Sequence, residues 1–378
     1  MKKNKLILTI CACVCSVLLV VVAVAGIVLS NHKHEFGDAK VYHIGNESIY
    51  YTKTCKDGHV QRFETSATIS EVFAGVTKID RIVLDENVTL NQALNIDSSI
   101  HGVPEGISLN INLDLNGKTL TTGNSVSSAN NSLFTLSAMY GNIEFNISNG
   151  KIYSENLAYI FRLVNSEFGK LGLNIDGVEC TTKGIQTTPL FVHNECSNVL
   201  VTAKNSKFVS QNSTNNNENC GVGVFINSES QFDFENCYFE GGDAAYVKQG
   251  TVKFDKCEFQ NAGLDWASRL VTSETFAPIG TCLAVDSYTD ANGADKFDIT
   301  IVECTMKRGQ SSQMIYIKQT NAEGCSAGIN NESQIDIKSC TFNDNPALNM
   351  VGTDDVILLP SGEWPESNGN QLWICGNM

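Results

Sequence analysis

Short runs alternating apolar and polar residues recur along the chain, and two are near copies: FDFENCYFEGG at 232–242 and VKFDKCEFQNAG at 252–263. Each reads apolar, polar, apolar, polar, polar, Cys, any residue, Phe, and then turn residues. Relatives of this box stand at FNISNGKI (145–152), LNIDGVEC (173–180), VTAKNSKF (201–208), ITIVECTM (299–306) and IDIKSCTF (335–342), with LDLNGKTL (113–120) a longer version. Aligned on the cysteine slot, Gly150, Val178, Ser206, Cys237, Cys257, Cys304 and Cys340 form one column at intervals of 28, 28, 31, 20, 47 and 36 residues. Alternation with a period of two predicts strands. A second apolar run lies between boxes, among them LFTL (133–136), AYIFRLV (158–164), GVFIN (223–227), AYVK (245–248) and MIYIK (314–318). Each period therefore carries at least two strands, with Asn, Gly and Ser at the corners, where Asn tolerates a left-handed backbone. No capped helical window is found from residue 71 onwards.

Repeats of this length that are rich in strands and turns predict a solenoid. The apolar-in, polar-out pattern specifies an all-β, right-handed, single-stranded parallel β-helix over residues 71–378. A sandwich or barrel would not copy one box in one register along the chain. The boxes, together with ISLNINLDLNGKTL at 107–120, resemble the pectate-lyase-like superfamily of right-handed β-helices and its bacterial cell-surface members, over about residues 80–360. In that superfamily the substrate lies along an outward strand face bearing acidic residues and a basic side chain, so the resemblance implies such a face here. The long periods hold the insertions 263–280, 287–296 and 319–334, which a solenoid turns into loops on one side.

The start of the chain departs from this pattern. MKKNK precedes an apolar run over residues 6–29, long enough to span a bilayer, and the lysines keep the N-terminus inside. Residues 1–30 are thus expected to form a transmembrane signal anchor. Cleavage after Ala25 is the alternative, and gives a secreted protein. Residues 31–70 read as a small β module or stalk. His32, His34, Cys55 and His59 in it are candidate zinc ligands, with an unliganded stalk as the alternative. The formal charge is −15, and −18 without Lys2, Lys3 and Lys5. This balance argues against nucleic acid and suits solubility, cation binding or a basic partner. Of 14 cysteines, Cys11, Cys13 and Cys15 fall in the apolar run, and the others show no CxxC pair. The cysteine column reads as a small interior slot holding free, stacked thiols, with a disulfide between neighbours as the alternative.

Chemistry is sought on the outward slots. Stacking places Asp233, Glu235, Lys253, Asp255, Asp298 and Asp336 on one exposed face. There they could bind Ca²⁺, act as an acid/base pair, or form cross-strand ion pairs. Tyr246 with Lys248, and Tyr316 with Lys318, are expected to present an aromatic and a cation outward, a combination suited to sugar rings. The Asp354-Asp355 doublet resembles adjacent aspartates of polygalacturonase-like hydrolases, but the rest of that set is missing. No phosphate-binding Gly loop, Ser-His-Asp spacing or HExxH is present. The expectation is a membrane-anchored extracellular protein that binds a polysaccharide, matrix or host-cell ligand without catalysis. A divergent lyase or hydrolase of acidic polysaccharide and a rigid spacer are the alternatives.

Overall fold

The structure, a computed structural model, describes residues 35–77, 79–123, 126, 131–166, 168–184, 187–212, 221–261, 282–290, 293–294, 296–307, 315–321, 333–342, 345–346 and 372–375. It is all-β: strands dominate, and Ile69–Gly75 is the one helix among the described residues.

Most ladders are parallel and join a strand to its equivalent one period later. Asn142–Ser154 lies between Ser108–Asp114 and Leu171–Gly184. Leu171–Gly184 continues onto Val199–Lys204 and Lys207–Asn212. Val222–Glu235 pairs with Asp243–Asp255, and that strand pairs with Phe297–Val302, which in turn meets Gln334–Lys338. The spacings read from the boxes are therefore register relations: Phe145 faces Leu173, Phe232 faces Val252, and Ile299 faces Ile335.

Alternation puts one face of every box into a continuous apolar core. One core column runs Leu113, Ile147, Ile175, Ala203, Phe234, Phe254, Ile301 and Ile337. From residue 208 onwards aromatic rings fill much of it. Phe234 stacks on Phe254 at 5.3 Å and Phe239 on Phe259 at 5.2 Å, and Phe239 meets Phe254 edge-on at 5.5 Å. Offset and edge-on contacts of this kind are the favoured aromatic geometries.

The corner inside each box has one repeated conformation. Asn149, Gly177, Asn205, Asn236, Lys256, Glu303 and Ser339 all have φ between 50° and 64°, in the left-handed region. The slot after that corner is interior and small. A Cβ on Gly150 would stand 2.5 Å from both Leu115 Cβ and the Lys118 carbonyl oxygen, so glycine permits the approach. Ser206 shows what the later slots do: its hydroxyl donates to the Lys204 carbonyl at 2.6 Å and accepts the Val178 N–H of the preceding period at 3.1 Å.

The cysteines repeat this arrangement. Cys237, Cys257, Cys304 and Cys340 are buried and free. Each thiol points at the carbonyl two residues back, at 3.2–3.4 Å. The Cys257 N–H donates to Cys304 Sγ at 3.2 Å. The Cys237 thiol, with burial, pushes the Cys257 thiol up to about 12, and Cys257 does the same to Cys304. These thiols stay protonated at neutral pH, and a protonated buried thiol is a packing group rather than a nucleophile.

The expected β module is present. Val41–Ile44, Ile49–Thr54 and Val60–Glu64 form an antiparallel meander. It is continuous with the repeats, since Val41–Ile44 pairs in parallel with Arg81–Leu84. The buried Asp80 carboxylate ties the junction by accepting from the Lys40 and Thr77 backbone N–H groups at 2.8 and 2.9 Å. The helix Ile69–Gly75 starts at a capping box of Thr68 and Glu71, and it buries Val72 and Phe73 against the first periods. Among the described residues no helix is long and apolar enough to cross a membrane, and residues 6–29 lie outside them.

Candidate functional site

Two outward columns run side by side along the box strands. The first is Asn112, Asn146, Asn174, Thr202, Asp233, Lys253, Thr300 and Asp336. The second is Asp114, Ser148, Asp176, Lys204, Glu235, Asp255, Val302 and Lys338. All eight positions of each column face the same way, because a residue and its register partner share a strand face. The halves of this face differ in chemistry.

The later half holds the residues singled out from sequence. Asp233 accepts from Gln231 Nε2 at 2.7 Å. Lys253 Nζ meets Asp255 at 3.0 Å, Lys256 meets Asp255 at 3.5 Å, and Lys338 meets Asp336 at 3.3 Å. Lys204 reaches Glu235 at 2.7 Å. Lys253 holds the Asp255 carboxyl below its ordinary value, and Lys204 does so for Glu235. Asp298 stands on the same face but two residues earlier, in register with Thr251 and Gln334, so it does not join the Asp233–Asp336 column. The carboxylates are thus spread along paired strands, with Glu235, Asp255 and Asp336 each matched to a lysine. Among the described residues no three His, Cys, Asp or Glu side chains gather as a metal-binding set.

The earlier half forms an open groove of about 600 Å³. Its floor is an amide ladder: Asn146 Nδ2 donates to Asn112 Oδ1 at 3.1 Å, and Asn174 Nδ2 to Asn146 Oδ1 at 2.7 Å. Asn174 also donates to Glu144 Oε1 at 3.0 Å. Asp114, Ser148, Asp176 and Lys204 make the adjacent wall, and Arg81 and Ile79 close the end beside the module. Arg81 Nη2 lies 3.6 Å from Asp114 Oδ2. Asp176 accepts from Asn205 Nδ2 at 3.1 Å. The box alignment already put Asn146, Asn174, Ser148, Asp176 and Lys204 on the outward face. It gave no sign of Ile79 and Arg81, which belong to a turn and the strand after it, in a segment with no box.

The aromatic expectation needs correction. Tyr246 does alternate with the core residue Val247, but it is only 2% exposed. It packs on Phe225 at 5.4 Å, Phe225 stacks on Phe191 at 4.8 Å, and with Val222 and Ala284 they make a separate apolar cluster. Strand parity gave the direction of this ring but not its burial. Lys248 sits at a register shift, since Ile226 faces Val247 whereas Asn227 faces Gln249. Tyr316 and Lys318 lie on the strand Ile315–Asn321, in register with Ala284 and Asp286, and their side chains lie outside the described residues.

The proposed zinc set is divided. Cys55 is buried, His59 is exposed, and the Cys55 N–H donates to the His59 carbonyl at 2.9 Å. His32, His34, Asp354 and Asp355 lie outside the described residues. Comparison of the chain with known protein families, with characterised proteins and with solved structures finds no match.

Proposed function

We propose that the chain winds as a right-handed, single-stranded parallel β-helix of the pectate-lyase-like kind, held at a membrane by residues 6–29 and displayed outside the cell. Its role is to bind a glycan of a matrix or cell surface, without catalysis. The uniform parallel ladders between equivalent strands support the winding. The observation that carries the binding role is the groove over Asn112, Asn146 and Asn174. An amide both donates and accepts, as vicinal sugar hydroxyls do, and can meet them without requiring charge. Asp114, Asp176, Glu235 and Asp255 are engaged by arginine, amide or lysine groups, which suits a binding face better than an acid/base pair.

The test is a glycan array probed with the full chain in detergent, beside the Asn146→Ala/Asn174→Ala variant. Retention of at least one glycan, lost in the variant at unchanged Tm, is the expected result. Release of unsaturated products or reducing ends from any polymer on the panel would replace binding with catalysis.

A further inference from the structure

Given the glycan-binding role proposed above, the chemistry of the groove narrows the ligand further. Arg81 and Lys204 bring two positive charges to its lining, and Asp114 and Asp176 bring two negative ones. Each charge has a partner: Arg81 with Asp114 at 3.6 Å, Lys204 with Glu235 at 2.7 Å, and Asp176 with the Asn205 amide at 3.1 Å. A polyanion such as a uronic-acid polymer would have to displace Asp114 from Arg81 or Glu235 from Lys204. It would also approach a chain of net charge −15 against its field. A polycation would meet the cationic Arg81 and Lys204, and the one lining carboxylate without an ion-pair contact, Asp176, is already held by the Asn205 amide. The amide floor and the apolar Ile79, 49% exposed at the end of the groove, suit hydroxyls and C–H faces.

The same strands carry a second feature. Tyr140 and Phe168 each stand three residues ahead of the register pair Ile143 and Leu171, at one corner of neighbouring periods. They are 53% and 64% exposed, and Ile107 at the matching corner is 56% exposed. The two residues thus occupy the same corner of adjacent periods, both open to solvent. From Tyr140 to Asn146 is six residues, or ~20 Å of strand, which leaves room for several sugar rings. The outward residues between are polar and linked: Asn142 donates to Ser108 Oγ at 3.3 Å, and Glu144 accepts from Asn174.

We propose that the site takes an uncharged glycan chain, running along the strands from the amide groove to a stacking platform made by Tyr140 and Phe168. The platform fills the aromatic role that Tyr246, buried in its own cluster, does not.

The experiment measures binding of the full chain in detergent to neutral glucans, mannans, xylans and galactans and to uronic-acid polymers, at low and high salt. Tyr140→Ala, Phe168→Ala and Phe168→Trp are measured alongside, with Tm as the control for folding. Expected is binding of a neutral polymer with Kd unchanged within about twofold by salt, since no ion pair forms. Each alanine variant should weaken binding about tenfold, the equivalent of a stacking contact of about 1.4 kcal/mol, and Phe168→Trp should keep it. Binding confined to uronic-acid polymers and weakened by salt overturns the uncharged ligand while leaving glycan binding in place. Full affinity in both alanine variants overturns the platform. Silence across every polymer removes the glycan-binding role itself.

Discussion

The two halves of the outward face share a backbone and a register, yet carry opposite solutions to the same exposure. From Asn112 to Thr202 the inner column is amide and hydroxyl, and the side chains hydrogen-bond to each other across periods. From Asp233 to Asp336 the face is charged, and lysines pair with Glu235, Asp255 and Asp336. Charged neighbours on adjacent strands satisfy one another and keep an exposed face soluble, but a matched pair offers a ligand little. An amide ladder is also satisfied within itself, yet each amide keeps spare hydrogen-bonding capacity. Placement on the fold is thus common to both halves, and the chemistry of the column is what separates them.

The core beneath the two halves differs too. The column of Phe234 and Phe254, packed with Phe239 and Phe259, is Leu113, Ile147 and Ile175 in the earlier half, whose own rings, Phe134, Phe145 and Phe161, lie outside that column. The sharpest way to separate the halves is to damage one core. Phe254→Ala should cost about 3–5 kcal/mol, as a large buried ring lost to a cavity does. Because contacts in a stacked repeat reach only neighbouring periods, glycan affinity in the groove should persist where the protein remains folded. Denaturant unfolding and binding measured on the same sample check both points. Loss of binding in step with stability would join the halves into one unit.

A smaller effect is expected at the corners. Lys256 and Glu303 hold φ of 55° and 52°, where Asn stands in the equivalent corners at 149, 205 and 236. Left-handed geometry costs a residue with a long side chain about 1 kcal/mol more than asparagine or glycine. Lys256→Asn and Glu303→Asn should therefore each stabilise by about 0.5–1 kcal/mol, despite the loss of exposed ion pairs of little worth. Chemical denaturation of the single variants measures this. The cysteine slot gives a matching prediction: Cys257→Ser should cost less than about 1 kcal/mol because Ser206 already does the same work, whereas Cys257→Val removes the donor and should cost more.

The smallest effect is electrostatic and confined to the later half. Lys253 lowers the Asp255 carboxyl. A depressed folded value contributes stability above the unfolded carboxylate range, near pH 4, and loses it as pH falls through the lowered value. Acid titration of Tm should show this loss, and Lys253→Met should flatten it. Glycan affinity above pH 5 should not change in that variant.

Much of this was legible before any coordinates. The box repeats fixed strand positions, register and the two outward columns, because a residue and its copy must share a face when periods stack. The column of Gly150, Val178, Ser206 and the cysteines implied a small interior slot, and the structure adds its hydrogen-bonding role. Asparagine before that slot signalled the left-handed corner. What stayed hidden depends on contacts between unlike parts of the chain. Tyr246 has the parity of an exposed ring, but its cover comes from Phe225, Val222 and Ala284, which no pattern within AYVK reveals. The groove needs Ile79 and Arg81, from a segment without a box. Asp298 lies one row away because the FDITIVEC box starts earlier on its strand.

The most direct measurement compares two double variants of the full chain on the same neutral glycan. Asn146→Ala/Asn174→Ala empties the amide half, and Lys253→Ala/Asp255→Ala empties the charged half while leaving the groove intact. The first should abolish binding at near-native Tm, and the second should leave Kd within about twofold. Binding that survives the first and disappears in the second would place the site on the charged half and contradict the account.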